Sequence, residues 1–426
     1  MNLKQLTRWV SALLCVSVFA GCGGSSDSDT ANLRVLNATH DYGAIDFYVS
    51  DTQQFSALAA GTTSSYLSLS ATSTAFKIKP AGTSTTALSN SMTLSKDTPY
   101  TLVAYNNAST MSTTYFTDNQ SAPTSGTAAF RVFNASSSAG YVDVYVTAPD
   151  ADITNATATA SSVGGGSITS YVEITKGTYR VRVTGYGDKT DVRLDIPSVA
   201  LSDQQITTFM LTGTAGGVLV DALTVNQGGT VTSYKNANAR LRVVAAVTGN
   251  GSVTASTTDG TVSSALRAPT VGGYVSTPAT LSGLAVAVNG ASVDTSALAL
   301  TAGTDATLLV YGDAAAPKVK LLVDDNSLAT VTANAKIRLV NVLNGLDSTV
   351  TLNADYVAVA DNVAFGFAST PASIAGSTTM RLEVTSPLRT AALYTATDVT
   401  LVAQKVYTLF LMGDASAPVA VLRKDR

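Results

Sequence analysis

A stretch with the pattern of a β-strand, ANLRVLNA (31–38), returns as AAFRVFNA (128–135), ARLRVVAA (239–246) and AKIRLVNV (335–342). Each copy is centred on an arginine: Arg34, Arg131, Arg242 and Arg338. A second stretch follows late in each period: YTLVAYN (100–106), TTFMLTG (207–213), ATLLVYG (306–312) and YTLFLMG (407–413). A third is shared by the last two units, VSTPATLSG (275–283) and ASTPASIAG (368–376). Gly312 and Gly413, in matching positions, are 101 residues apart. A period near 100 residues is the length of one small domain, so the chain reads as four tandem modules. Their expected limits are 31–125, 126–233, 236–331 and 332–426, the third being the most divergent.

Within each period, short segments alternate apolar and polar residues (IDFYV, YLSLS, FKIK, YVEI, YRVRV, MRLEV), and turn residues interrupt them every eight to twelve positions. That pattern predicts antiparallel β-strands with one buried face. The fold class expected is all-β: tandem immunoglobulin-like or transthyretin-like antiparallel sandwiches.

The first unit, with LRVLNATHDYGAIDFYVSD, SYLSLS, AFKIKPAG and YTLVAYNN, resembles the uncharacterised domain-of-unknown-function 4397 family. The second unit carries the same signs in FRVFNASSSAGYVDVYV, SYVEITKGTYRVRV and TTFMLTG. The resemblance implies tandem sandwich domains of a secreted protein or lipoprotein, and a surface or periplasmic location. It implies no activity.

The first residues point the same way. Lys4 and Arg8 precede an apolar run from Trp9 to Ala20, too short to cross a bilayer but suited to a secretory signal. The run ends in VFAGC, which resembles a bacterial lipobox with Cys22 as the acylated residue. The expected organisation is therefore a signal peptide (1–21) and a Gly/Ser/Asp-rich tether (22–30) ahead of the modules. Gly23 after the cysteine favours the outer membrane over inner-membrane retention. Cys15 and Cys22 are the chain's two cysteines, so removal of residues 1–21 leaves no thiol beyond the lipidated one. The same cut leaves 24 Lys and Arg against 29 Asp and Glu, which argues against a nucleic-acid partner.

Arg34 and Asp46 are 12 residues apart, as are Arg131 and Asp143. If the first two strands of each unit form a hairpin, this spacing sets arginine opposite aspartate. Two readings follow. Arg34 and Arg131 are structural cross-strand partners of the aspartates. Alternatively, Asp46, Tyr48, Tyr141, Asp143 and Tyr145 form an aromatic–carboxylate binding surface in the first two units.

Motifs for chemistry are sparse. His40, the single histidine, falls in a predicted loop, which disfavours a Ser-His-Asp relay and a conventional zinc site. The run Gly164–Gly166 has no phosphate-loop spacing and reads as a loop. Asp150 with Asp152, and Asp324, Asp325 and Asn326, are short of a calcium loop and read as solvated turn residues. No catalytic residue, metal ligand or cofactor is assigned. The function expected is a non-catalytic array at the outer membrane, held by a lipid on Cys22 and binding a glycan, matrix or envelope-protein ligand. The rival readings are a periplasm-facing accessory subunit of an envelope assembly and a hydrolase with an unrecognised site.

Overall fold

The computed structural model describes residues 29–107 and 110–426; the expected signal segment, Cys22 and the tether through residue 28 lie outside them. The described strands form eight sheets, two to a unit. In the first unit the strands are β1 (Thr30–Asn37), β2 (Ala44–Val49), β3 (Thr52–Ala59), β4 (Thr62–Thr63), β5 (Leu67–Ser70), β6 (Ser73–Pro80), β7 (Leu88–Thr93), β8 (Pro99–Asn107) and β9 (Thr110–Thr117). One sheet runs β4-β1-β8-β9, with β5 also on β1; the other runs β3-β2-β6-β7. The later units repeat this plan, and the second adds an edge strand, Val231–Tyr234.

Alternation explains the cores. Ile45 and Phe47 of β2, with Phe76 and Ile78 of β6, point inward against Leu33, Val35 and Leu102 of the first sheet. Equivalent clusters fill the other three sandwiches. An immunoglobulin sandwich keeps its first two strands side by side in one sheet. Here β1 and β2 belong to opposite sheets, and β1 runs parallel to β8. That is the transthyretin-like arrangement of the two expected.

The hairpin expected between the first two strands therefore does not form. Both edges of β1 are taken, by β8 on one side and by β4 and β5 on the other. The asparagine that ends the strand turns the corner into the opposite sheet. Asn37 donates to the Leu58 carbonyl and accepts from the Thr39 backbone; Asn134 and Asn341 make the matching bonds to the Val163 and Val363 carbonyls. Such local side-chain bonds give the backbone an alternative to continuing a ladder.

The repeated arginines find other partners. Each faces a threonine on the parallel neighbour strand and donates Nε to its hydroxyl: Arg34 to Thr101, Arg131 to Thr208, Arg242 to Thr307 and Arg338 to Thr408, at 2.8–2.9 Å. In three units that hydroxyl donates in turn to an aspartate at or just past the end of the last strand: Asp118, Asp324 or Asp425. These groups lie on the outer face of the first sheet, where apolar residues meet a neighbouring unit. Leu36, Val103 and Tyr105 pack on Phe133, Met210 and Leu223, joining units one and two. Val244, Val271 and Leu309 pack on Val340, Phe410 and Met412, joining three and four. The rings of Tyr105 and Tyr311 reach Gly166 and Gly366 of the partner units. At Gly366 (φ +78°) a Cβ would stand 2.6 Å from the Tyr311 hydroxyl.

Within the second pair the charges are exchanged. Arg242 of unit three binds Asp425 of unit four, and Arg338 of unit four binds Asp324 of unit three at 2.5 Å. All four side chains are buried. Burial opposes charge on Arg242, but Tyr274, Asp425 and Asp324 outweigh it and raise its pKa. The first pair lacks half of this arrangement, because Gln227 follows the strand Val220–Asn226 of unit two where the other units have aspartate at the matching position. Arg34 instead donates to the backbone carbonyls of Gly229 and Asn226, and Arg131 lies against Phe116 and Tyr171 at 4.7 and 4.4 Å.

Within the acidic run, Asp324 and Asn326 are buried in the joint of the second pair and are not solvated turn residues, whereas Asp325 is exposed and accepts from Ser327 as a turn residue does. Asp324 serves the exchange, Asp325 binds Lys336, and Asn326 donates to Asp305 and to the Tyr274 hydroxyl. Asp305, fully buried, meets Arg240 at 3.1 Å through Oδ2, while its Oδ1 has no hydrogen-bond partner.

Two outcomes are expected. Arg242→Ala leaves the buried Asp425 without its cation, while Asp324 keeps Arg338, and should cost about 3–5 kcal/mol in denaturant unfolding. Arg131→Ala removes no carboxylate hydrogen bond and should cost less than half as much. Burial raises the Asp305 pKa to about 6. The folded state therefore holds this proton more tightly than the unfolded chain, and stability is lost as pH rises through about 6. The melting temperature of Asp305→Asn, relative to the parent, should climb between pH 4.5 and 7.5; a flat difference would refute this.

Candidate functional site

The five residues expected to form a surface are placed unequally. Asp46 and Asp143 are only 6% and 4% exposed, and both accept hydrogen bonds from backbone N–H groups. Asp46 holds Ala57 and Gly82; Asp143 holds Ser162 and Gly187 and also accepts from the Ser161 hydroxyl. Ala57 and Ser162 have left-handed backbone at a bulge in the third strand of each unit. The aspartates therefore clamp β-bulges. Burial alone would raise the Asp143 pKa, yet the bonds from Gly187, Ser161 and Ser162 leave it lowered. Thr351 stands at the corresponding place in unit four and accepts from the Asn362 N–H, so this position is structural along the chain.

Tyr145 is 3% exposed, with Lys189 over its ring at 5.7 Å, and Tyr48 is half-buried with Lys79 at 4.5 Å. Neither forms an open platform with its aspartate. Arg34 and Arg131 are cross-strand structural partners, though of threonines on the parallel strand and not of Asp46 and Asp143. The spacing of 12 residues was real, but it spans a crossing between sheets.

Tyr141 is the member that opens to solvent, at 63% exposure, and a second tyrosine outside the predicted set joins it. Tyr186 is 60% exposed, and its N–H donates to the Tyr141 carbonyl at 3.1 Å. The two rings stand at the edge of a groove of about 1100 Å³ where units two, three and four meet. The glycine run of unit two forms part of its wall: the Tyr141 ring lies against Gly164, and a side chain on Gly165 would collide with the Ser137 backbone.

The two pairs meet through the loop Thr214–Leu219 between the strands Ile206–Gly213 and Val220–Asn226 of unit two. It is six residues long, where the other units use two. Its Gly216 N–H donates to the Gly303 carbonyl, and its Gly217 carbonyl accepts from Arg426 at 2.7 Å. This docking brings Arg193 of unit two near Lys405, Lys424 and Arg426 of unit four, with Arg240 of unit three on the same groove. Burial lowers the Lys405 pKa, and Lys424, Arg426 and Arg193 add repulsion.

His40 lies elsewhere, in a cavity of about 750 Å³ among units one, two and three. Its Nε2 is 2.9 Å from Asp41, and its ring packs on Gly213 of unit two. Asp152 caps its own turn by accepting from Thr154. Among the described residues, no group of three or more His, Cys, Asp or Glu is placed to hold a metal ion.

No curated protein matches this chain. Among solved structures, a family CBM26 module from Eubacterium rectale Amy13K in complex with maltoheptaose is 12% identical, with a TM-score of 0.17; the match covers 48% of this chain and 96% of that one. The pneumococcal virulence factor SpuA, multi-modular and glycogen-degrading, is 11% identical over 63% of this chain and 37% of its own, with a TM-score of 0.16. The Bacillus anthracis TIE protein is 8% identical over 86% and 66%, with a TM-score of 0.15. Likenesses this slight carry no argument about fold or ligand. The model of a domain of unknown function, DUF4397, matches residues 31–145, which span the first sandwich and the first two strands of the second.

Proposed function

We propose that this chain is a non-catalytic binding protein of the cell envelope: a lipoprotein acylated at Cys22, whose tandem DUF4397-type sandwiches present a ligand groove at the outer membrane surface. The observation that carries the reading is the pair Tyr141–Tyr186, more than half exposed on adjacent backbone at the edge of a groove built by three units. Large aromatic faces left in water beside a concave surface suit stacking against a ring-shaped ligand such as a sugar. Groove polar groups such as the Asp188 and Asp191 carboxylates supply hydrogen-bond acceptors for hydroxyls. His40 packs between units, which leaves the binding reading ahead of an acid–base one. The lipobox-like VFAGC supports the anchor, and the Gly/Ser-rich segment after it supports a tether.

The double variant Tyr141→Ala, Tyr186→Ala should lose at least tenfold in retention on immobilised glycans while keeping the parent melting temperature, because both rings are largely exposed. Unchanged retention would remove the groove from the proposal. Protease treatment of intact cells should remove a C-terminal epitope tag; protection until the outer membrane is opened would place the array in the periplasm.

A further inference from the structure

The charges of the groove are not balanced, and the imbalance is specific. Each side-chain carboxylate on its wall already has a protein partner, with lone pairs to spare. Asp191 is bound by Arg193 at 2.7 Å, Asp425 by Arg242, and Asp188 accepts from the Thr190 hydroxyl and N–H. Arg240 is paired with the buried Asp305. Three cations remain without a carboxylate partner among the described residues: Lys405, Lys424 and Arg426. Arg426 donates to the neutral carbonyls of Gly217 and Asn326. Arginine keeps its proton in such a place. Burial and the neighbouring Arg193 and Arg240 nevertheless hold the Arg426 pKa below its usual value. Like charges gathered in a concavity with low-dielectric walls focus a positive potential. This occurs in a chain whose formal net charge is −3.

We propose that this groove takes an anionic glycan, a sugar polymer carrying carboxylate or sulfate groups, with Lys405, Lys424 and Arg426 binding the acid groups and Tyr141 and Tyr186 stacking on the rings. The proposal rests on the binding reading given above and adds the ligand's charge. A nucleic acid is the other polyanion with flat rings. Asp188 and Asp191 on the same wall favour the glycan, since their remaining lone pairs can accept from the hydroxyls of a sugar, and a DNA strand offers no hydroxyl along its backbone. An acid-bearing glycan also has hydroxyls to spare between its charges.

The test uses the full chain and titration calorimetry with polygalacturonate, hyaluronan and heparin, beside highly methyl-esterified pectin, dextran and single-stranded DNA. At least one acidic glycan should bind, at least tenfold more tightly than either neutral polymer, and more weakly as salt rises. The double variant Lys405→Gln, Lys424→Gln should lose at least tenfold, and Tyr141→Ala, Tyr186→Ala should lose a comparable factor. Neutral polymers bound as tightly as acidic ones, with dependence on the tyrosines alone, would overturn the anionic assignment and leave the binding reading standing. DNA bound as tightly as the best glycan, with the same lysine dependence, would overturn the choice of glycan. If no polymer binds, or if the tyrosine variant binds like the parent, the groove is not the site and both readings fall.

Discussion

The buried exchange of arginine and aspartate between adjacent sandwiches is the interaction on which the arrangement of this chain turns. Arg242 and Arg338 each sit over a threonine of their own unit and reach an aspartate of the partner unit. Removing two guanidinium–carboxylate pairs from water is costly, and well-packed apolar residues in the place of buried ion pairs often give equal or greater stability. What the charges add is selectivity. An outer sheet face lined with Val244, Leu309, Val340 and Phe410 alone would pack in many registers. With a charge at its centre, any register other than the reciprocal one strands an ion. The apolar cluster supplies the drive to associate, and the exchange selects one geometry.

That geometry has consequences away from the pair interface. Once each first sheet is covered by its partner, what remains for contact between the two pairs is loops and edges. Unit two supplies one such element, the loop Thr214–Leu219, whose glycines let it enter between units three and four. Docking at that point places the Tyr141–Tyr186 edge of unit two beside the Lys405–Lys424 corner of unit four. The groove is thus a product of assembly. None of its three contributing units holds it alone.

This explains which parts of the molecule were legible in the sequence. The repeat, the all-β class and the alternation of β1 follow from local pattern, and so does the placement of Leu33 and Val35 on the face opposite Arg34. The pairing of Arg34 with Asp46 was misread because equal spacing in two units is compatible with a hairpin and with a crossing to the other sheet. Asn37, Asn134 and Asn341 were the available signal for the crossing, since an asparagine at the end of a strand offers the backbone a turn. The partner that mattered was also within reach: Thr101, Thr307 and Thr408 each precede an aspartate by 17 residues. Unit two breaks that rule, and the break hides it. Tyr186 and the cations of unit four carry no local motif, because what joins them is contact between units more than 200 residues apart in sequence.

The two pair interfaces can be compared as variants of one design within a single chain. Both place a tyrosine of one unit on a glycine of the other and both enclose the repeated arginines, Arg131 only partly, yet only the second completes the ionic exchange. In the first, Arg34 reaches carbonyl oxygens of unit two and stands 3.5 Å from Asp118 of its own unit, while aromatic rings flank Arg131 and burial lowers its pKa. Carbonyl dipoles and π-faces accept a guanidinium with less orientational demand than two carboxylates do. The first pair therefore depends more on its apolar contacts, among them the edge-to-face packing of Tyr105 and Phe116 on Phe133 at 5.3 and 5.6 Å. Unit two is where this relaxation coincides with the longer docking loop and the exposed tyrosines. The unit that departs most from the shared ionic pattern is also the one that contributes most to the groove.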